Sequence, residues 1–213
     1  LLCGYVQERS SVDYLAKMLG CSGGDWEFLG WRCGEYPGSA TFKNKIDGKV
    51  KKMGCYDFLA VCVPFFSIKK CLLCPDGSNE TADISFGDVH GFGKDMNIGI
   101  LRSSHMDQYL KMAQEKGYID FDTDDQEMLY TNASMVSGSK RRVVLEQLIL
   151  REKSGKAIPR YTGIELKSEN NFIMRFFQAK KARLMEKYSD KAEREKILRC
   201  NPQKMLKKGR YIY

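Results

Sequence analysis

The sequence predicts a mixed α+β fold of the α/β class, with a mixed-sheet domain over about residues 1–125 and a basic helical extension over 126–213. Three observations lead there. Short aromatic and β-branched runs, bounded by Gly, Pro and Asp turns, alternate with capped helical stretches as far as residue 122. From residue 138 onward only the helical period remains. The charge changes sign with the texture: residues 1–139 hold 14 Lys and Arg against 19 Asp and Glu, and residues 140–213 hold 21 against 8.

Ser10-Ser11 ahead of Val12, Leu15 and Leu19 reads as a capped helix with one apolar face, stopped at Gly20. Residues 26–31, rich in Trp and Phe, read as a strand, and Arg32 to Gly38 as a turn set by Pro37-Gly38. Residues 39–50 form a hairpin around Asp47-Gly48, because Gly accepts the backbone that a tight hairpin turn requires. Residues 55–66 are apolar and aromatic apart from Asp57 and are expected to be buried. Residues 67–75 make a turn carrying two thiols, and residues 82–88 a strand ending in Gly-Asp. A Gly91-Phe92-Gly93 loop leads to a second strand over 97–102. Ser104 caps a helix running to Lys116, with Gly117 as its stop, and residues 118–122 are extended.

Residues 139–153 form a basic helix and Gly155 to Pro159 interrupts it. Residues 170–188 set Phe172, Ile173, Phe176, Phe177, Leu184 and Tyr188 against Lys180, Lys181, Arg183 and Lys187, a strongly amphipathic helix. That stripe is expected to bury one side in the first domain and to leave the rest for a partner or a second copy. Asp190 and Glu193 form a capping box for a last helix, closed by Asn201-Pro202.

A chain of 213 residues is long enough for a core of useful size. No run approaches the roughly 18 apolar residues of a membrane span, and no signal-peptide pattern is visible. The opening Leu1-Leu2-Cys3 reads as the start of a fragment whose upstream part is absent. Eight cysteines in a chain with this much apolar content point to a reduced, cytoplasmic protein with metal-binding thiols rather than a disulfide framework. The sequons at Asn79 and Asn132 then carry no meaning. No nucleic-acid motif accompanies the basic C-terminal part, so its charge is expected to be a solvated face or a docking surface.

The residues that carry chemistry are Cys71 and Cys74, in Cys71-Leu72-Leu73-Cys74-Pro75-Asp76. Paired thiolates select soft metals, zinc or an iron–sulfur cluster. A structural zinc site wants four closed ligands, whereas the chain has no second Cys-x-x-Cys and only two His, His90 and His105, without ligand spacing. A cubane cluster can draw single thiols from remote segments, with Cys3 the best candidate and Cys55 and Cys62 the alternatives. Two buried, inert thiols are the competing reading. Cys21, Cys33 and Cys200 read as single structural cysteines.

Taken together, Leu2-Cys3, Arg32-Cys33-Gly34-Glu35-Tyr36-Pro37-Gly38, the Cys71 to Asp76 run, Ala82-Asp83-Ile84-Ser85-Phe86-Gly87-Asp88 and Ile100-Leu101-Arg102 resemble the C-terminal half of the beta subunit family of coenzyme F420-reducing hydrogenases and dehydrogenases. The likeness covers roughly residues 1–120, with a looser echo to Pro159-Arg160-Tyr161, and leaves 165–213 unmatched.

The resemblance implies an oxidoreductase carrying FAD and a 4Fe-4S cluster. Electrons would pass between cluster and flavin, and hydride between flavin and a deazaflavin or another small acceptor. It maps cluster ligands onto Cys3, Cys71 and Cys74 and expects a further cysteine from an N-terminal half outside this chain, so the fragment alone is expected to be inactive. It places flavin contacts on Asp83, Ser85, Gly87, Asp88 and His90. Gly87, Gly91 and Gly93 would let backbone N–H groups approach a diphosphate, while Asp83 and Asp88 would repel phosphate and suit a ribose or a ring N–H instead. His90 could equally be a loop histidine bonded to backbone. A redox partner subunit or a second copy is the expected partner. The alternative is a non-catalytic module of the same fold that docks through its basic helices.

Overall fold

The computed structural model describes residues 5–21, 23–88, 96–122, 138–167, 170–200, 205 and 207. The elements run α1 (Ser10–Met18), β1 (Trp26–Cys33), β2 (Ser39–Asn44), β3 (Val50–Gly54), α2 (Cys55–Phe66), a 3-10 turn (Lys69–Leu73), β4 (Ile84–Asp88), β5 (Asn97–Leu101), α3 (Ser104–Glu115), α4 (Ser139–Lys153), α5 (Phe172–Tyr188) and α6 (Lys191–Leu198). The expected α+β class is the class observed, with its strands in two separate antiparallel sheets. The chain divides into two compact units, one of Leu1–Gly4 and Cys74–Arg142, the other of Tyr5–Leu73 and Val143–Tyr213.

The larger unit is built around α2. After its first turn this helix is buried on every side, from Phe58 to Phe66 with only Leu59 partly exposed. A helix without a polar face must be enclosed. On one side Phe58 and Cys62 pack with Leu15, Ala40 and Phe42 of α1 and β2. On another, Val61, Phe65 and Phe66 meet Tyr14, Tyr188 and Ile197. On a third, Val63 meets Val143, Ala182 and Met185. Each fully buried Val or Phe contributes roughly 1.5–3 kcal/mol. Pro64 is accommodated inside the last turn of α2.

The three-stranded sheet has the order β1-β2-β3. Its β1–β2 register slips around Gly30, whose φ of 155° suits a bulge. The hairpin expected over 39–50 extends to Gly54, because Asp47-Gly48 starts a return strand that pairs all along β2. Asn44 Oδ1 accepts the Ile46 and Asp47 N–H groups and Gly48 adopts φ 72°, so the turn satisfies its own backbone. α1 ends as expected: Gly20 adopts φ 64° and Cys21 N–H donates to the Ala16 carbonyl. Lys51 Nζ donates to the Leu19 and Gly20 carbonyls there. Its start differs from expectation. The residue before the helix is Arg9, without a side-chain cap, and Ser11 Oγ donates to the Glu8 carbonyl.

Three other caps are side-chain caps: Ser103 to Met106 N–H, Asn171 to Met174 N–H, and Asp190 to Ala192 and Glu193 N–H. The first sits one residue before the serine expected, Ser104. α4 and α5 are held by Glu186, which takes Arg151 at 2.6 Å and Gln147 at 2.7 Å. The amphipathic stripe of α5 departs from expectation. The buried positions are Gln178, Ala182, Met185 and Tyr188, whereas Phe172, Ile173, Phe176 and Phe177 are exposed.

The smaller unit holds the β4–β5 hairpin and α3, which buries no residue. Ser85 and Ile98 are buried on one side of the hairpin, while Phe86 on the other is 47% exposed beside Gly99.

Gly38 holds φ 80°, and a Cβ there would lie 2.8 Å from the Arg32 backbone. Gly34 holds φ 85° in open space. Gly38→Ala should therefore cost about 1–3 kcal/mol, and Gly34→Ala only about 1 kcal/mol, in denaturant unfolding. A second expectation concerns pH. Burial pushes the Cys62 thiol from 9.0 up to about 12, only partly offset by the neighbouring Ser11 side chain. The unfolded chain releases that proton first, so stability is full below pH 9 and is lost as pH rises toward 12. Burial lowers Lys181 to about 8, which acts in the opposite direction between pH 8 and 10.5. The comparison with Cys62→Ala is therefore the readout: the variant should lose less stability between pH 9 and 11 than the parent.

Candidate functional site

The thiol segment is pinned from several directions. In the larger unit, residues 6–8 run antiparallel to 66–68, with Glu8 N–H on the Phe66 carbonyl and Ile68 N–H on the Val6 carbonyl. That pairing brings the Val6 N–H to 3.3 Å from Cys71 Sγ. Cys71 is buried, and its own N–H donates to the Ile68 carbonyl, closing the 3-10 turn. Tyr161 Oη donates to the Leu73 carbonyl at 2.6 Å. A buried sulfur that accepts a backbone N–H suits a thiolate, since a fixed dipole there stabilises negative charge on sulfur.

In the smaller unit, Cys74 is half-buried and its Sγ lies 3.6 Å from the Asp76 carbonyl. The same carbonyl accepts Lys140 Nζ at 3.2 Å. Lys140 is only 3% exposed, and a buried polar group is tolerated where it is hydrogen-bonded. The Asp76 carboxylate accepts the Ser78 and Glu80 N–H groups, and Asn79 takes the left-handed conformation at φ 53°, which Asn tolerates. Arg141 pairs with Glu80. The turn after Cys74 is thus held by its own carboxylate and by two cations of α4.

The β4–β5 hairpin is tied by Arg102. Its Nη1 donates to the Ala82 carbonyl at 3.1 Å and to Ser85 Oγ at 3.0 Å, its Nη2 to the Ser78 carbonyl at 2.9 Å, and its backbone N–H to the Asp83 carbonyl. Ser85 Oγ in turn donates to the Ser78 carbonyl at 2.6 Å. Ser85 is therefore committed to the protein, while the Asp83 side chain is exposed. Gly87 pairs with Ile98 and the Asp88 backbone with Asn97. Cys3, His90, Gly91 and Gly93 lie outside the described residues.

The two alternative cluster ligands sit within the larger unit. Cys62 is fully buried in the core, and Cys55 is buried at the start of α2, where it accepts from Arg32 Nη1 at 3.4 Å. Cys21 is buried as expected, Cys33 half-buried and Cys200 exposed. His105 meets the Tyr109 ring edge-to-face, with centroids 4.9 Å apart. Among the described residues no group of three or more His, Cys, Asp or Glu gathers as a metal site. The donor chemistry of Cys71 and Cys74 fits a soft centre in part: two thiols would be available to it, short of a full set. Tyr161, Lys140 and the role of Arg102 were missed in the sequence. Lys140 and Tyr161 act on the thiol turn from 64 and 88 residues away, and only the strand end at Arg102 left a local trace.

A family model describing the C terminus of the beta subunit of coenzyme F420 hydrogenase/dehydrogenase matches residues 1–127. The chain belongs to this family. The matched region contains both thiols, the Asp76 turn and the β4–β5 hairpin, and it ends before α4, which supplies Lys140 and Arg141. Neither the curated proteins nor the solved structures contain a match. Membership places the chain among subunits of oxidoreductase complexes. No helix among the described residues is long and apolar enough to cross a membrane.

Arg102→Leu removes three side-chain hydrogen bonds around the segment from Ser78 to Ser85. The expected cost is about 1–3 kcal/mol. Hydrogen exchange should locate it first in residues 78–88, with the unit built on α2 unaffected.

Proposed function

We propose that this beta-subunit region is the cofactor-bearing part of an iron–sulfur flavoprotein that passes electrons to or from a deazaflavin or another small acceptor. The observation that carries the reading is the buried Cys71 sulfur with the Val6 N–H directed at it, within the region matched by the family. In this reading Cys71 and Cys74 ligate a 4Fe-4S cluster with Cys3, and a fourth ligand comes from the N-terminal part of the beta subunit. When bound, the cluster and FAD supply one-electron relay and hydride exchange.

The residues of this chain do the rest. Val6 N–H offsets the charge on the Cys71 sulfur, and Tyr161 and Lys140 hold the carbonyls at Leu73 and Asp76. The guanidinium of Arg102 holds Ser85 and the strand start. In this reading Asp83, Ser85, Gly87, Asp88 and His90 are the flavin contacts. The exposed Phe86 face beside Gly99 offers a flat apolar surface for a ring. In this reading residues 1–125 make one domain, and 126–213 are its helical extension.

A second reading is favoured by the exposed aromatics of α5: a non-catalytic module that docks on a partner. The colour of the purified protein separates the two. Prepared without oxygen, the full beta subunit should show flavin and iron–sulfur absorbance, and Cys71→Ser should remove at least half of its iron while leaving the fold intact by circular dichroism. Iron content unchanged by the substitution would sink the cluster assignment, and a colourless protein would favour the docking module.

A further inference from the structure

We propose that the groove between α4 and α5 seats an acidic amphipathic helix of a partner protein. The inference stands apart from the cofactor assignment and applies under either reading of function. The groove encloses about 440 Å³. Its floor is apolar, from Ile149, Leu150 and Ala179. Its rim carries Lys153, Arg175 and Arg183, all reaching solvent. The acid in this lining, Glu146, is 3% exposed and lies 4.0 Å from Arg175 Nε, with its Oε1 lacking a hydrogen-bond partner. The charge offered outward is therefore cationic.

Beside the groove the first turns of α5 expose Phe172 at 80%, Ile173 at 64%, Phe176 at 57% and Phe177 at 47%. Four neighbouring large apolar side chains over two turns form a patch too broad for a small ligand, and monomeric proteins seldom leave such surface bare. An apolar floor flanked by two helices matches helix-in-groove recognition. Three rim cations select a partner whose polar face carries carboxylates, by complementarity. Aromatics with Arg could also stack nucleobases, but a floor of Ile, Leu and Ala offers bases little.

The test uses the intact chain and three probes: a synthetic 18-residue helix with a Leu stripe and a Glu face, the same peptide with Lys in place of Glu, and vesicles with one-third phosphatidylserine. The Glu peptide should bind at least tenfold tighter than the Lys peptide. Phe172→Ser with Phe176→Ser, both on exposed positions and checked by circular dichroism, should weaken it at least tenfold. Arg175→Glu with Arg183→Glu should reverse the peptide preference. Absence of peptide binding, equal binding of both peptides, binding untouched by the Phe variant, or preferential capture by the vesicles would each overturn the proposal. So would a concentration-dependent dimer, seen by light scattering, that the Phe variant disrupts, since the occupant would then be a second copy.

Discussion

Everything in the larger unit follows from the enclosure of α2. Twelve residues, of which all but the first turn are apolar, cannot lie on a surface. The helix needs a layer on each side. The three-stranded sheet and α1 supply one, and the remainder comes from residues more than 75 positions later, in α4, α5 and α6. The basic tail is therefore a structural component of this core, whatever else it binds. Its charge is carried on the faces that α2 does not use, while Ala182, Met185, Tyr188 and Ile197 face inward.

The same enclosure positions the thiol turn. α2 ends at Phe66, the chain pairs with residues 6–8, and the 3-10 turn follows at once, so Cys71 is delivered to the Val6 N–H by the helix that anchors the core. On the far side of Cys74 the constraint changes kind. There the turn is held by polar contacts, from Asp76 to its own backbone and from Lys140 to the Asp76 carbonyl. Such contacts give the turn rigid support.

α5 shows how one helix divides its surface along its length rather than around its circumference. Its C-terminal half is core, and its N-terminal turns are bare aromatic surface capped by Asn171. The ion pairs of Arg151 and Lys156 with Glu186 clamp the buried half to the preceding helix.

Local chemistry was legible in the sequence wherever a residue acts on its own neighbours. Gly20, Gly48 and Gly117 ended elements where expected, Asp190 capped α6, and the strands at 26, 39, 84 and 97 and the helices from 139 and 172 were readable from composition and period. The family followed from motifs spread over the same region. The helical nature of 55–66 was not readable, because a continuous apolar run has no period to distinguish helix from strand. Nor was the division of the α5 stripe: periodicity tells which residues share a face, and only the length of the neighbouring elements decides how much of that face is covered. Contacts such as Tyr161 to Leu73 and Lys140 to Asp76 join residues far apart in the chain, so the sequence by itself determined which groups could hold the thiol turn, and tertiary packing alone decided which ones do.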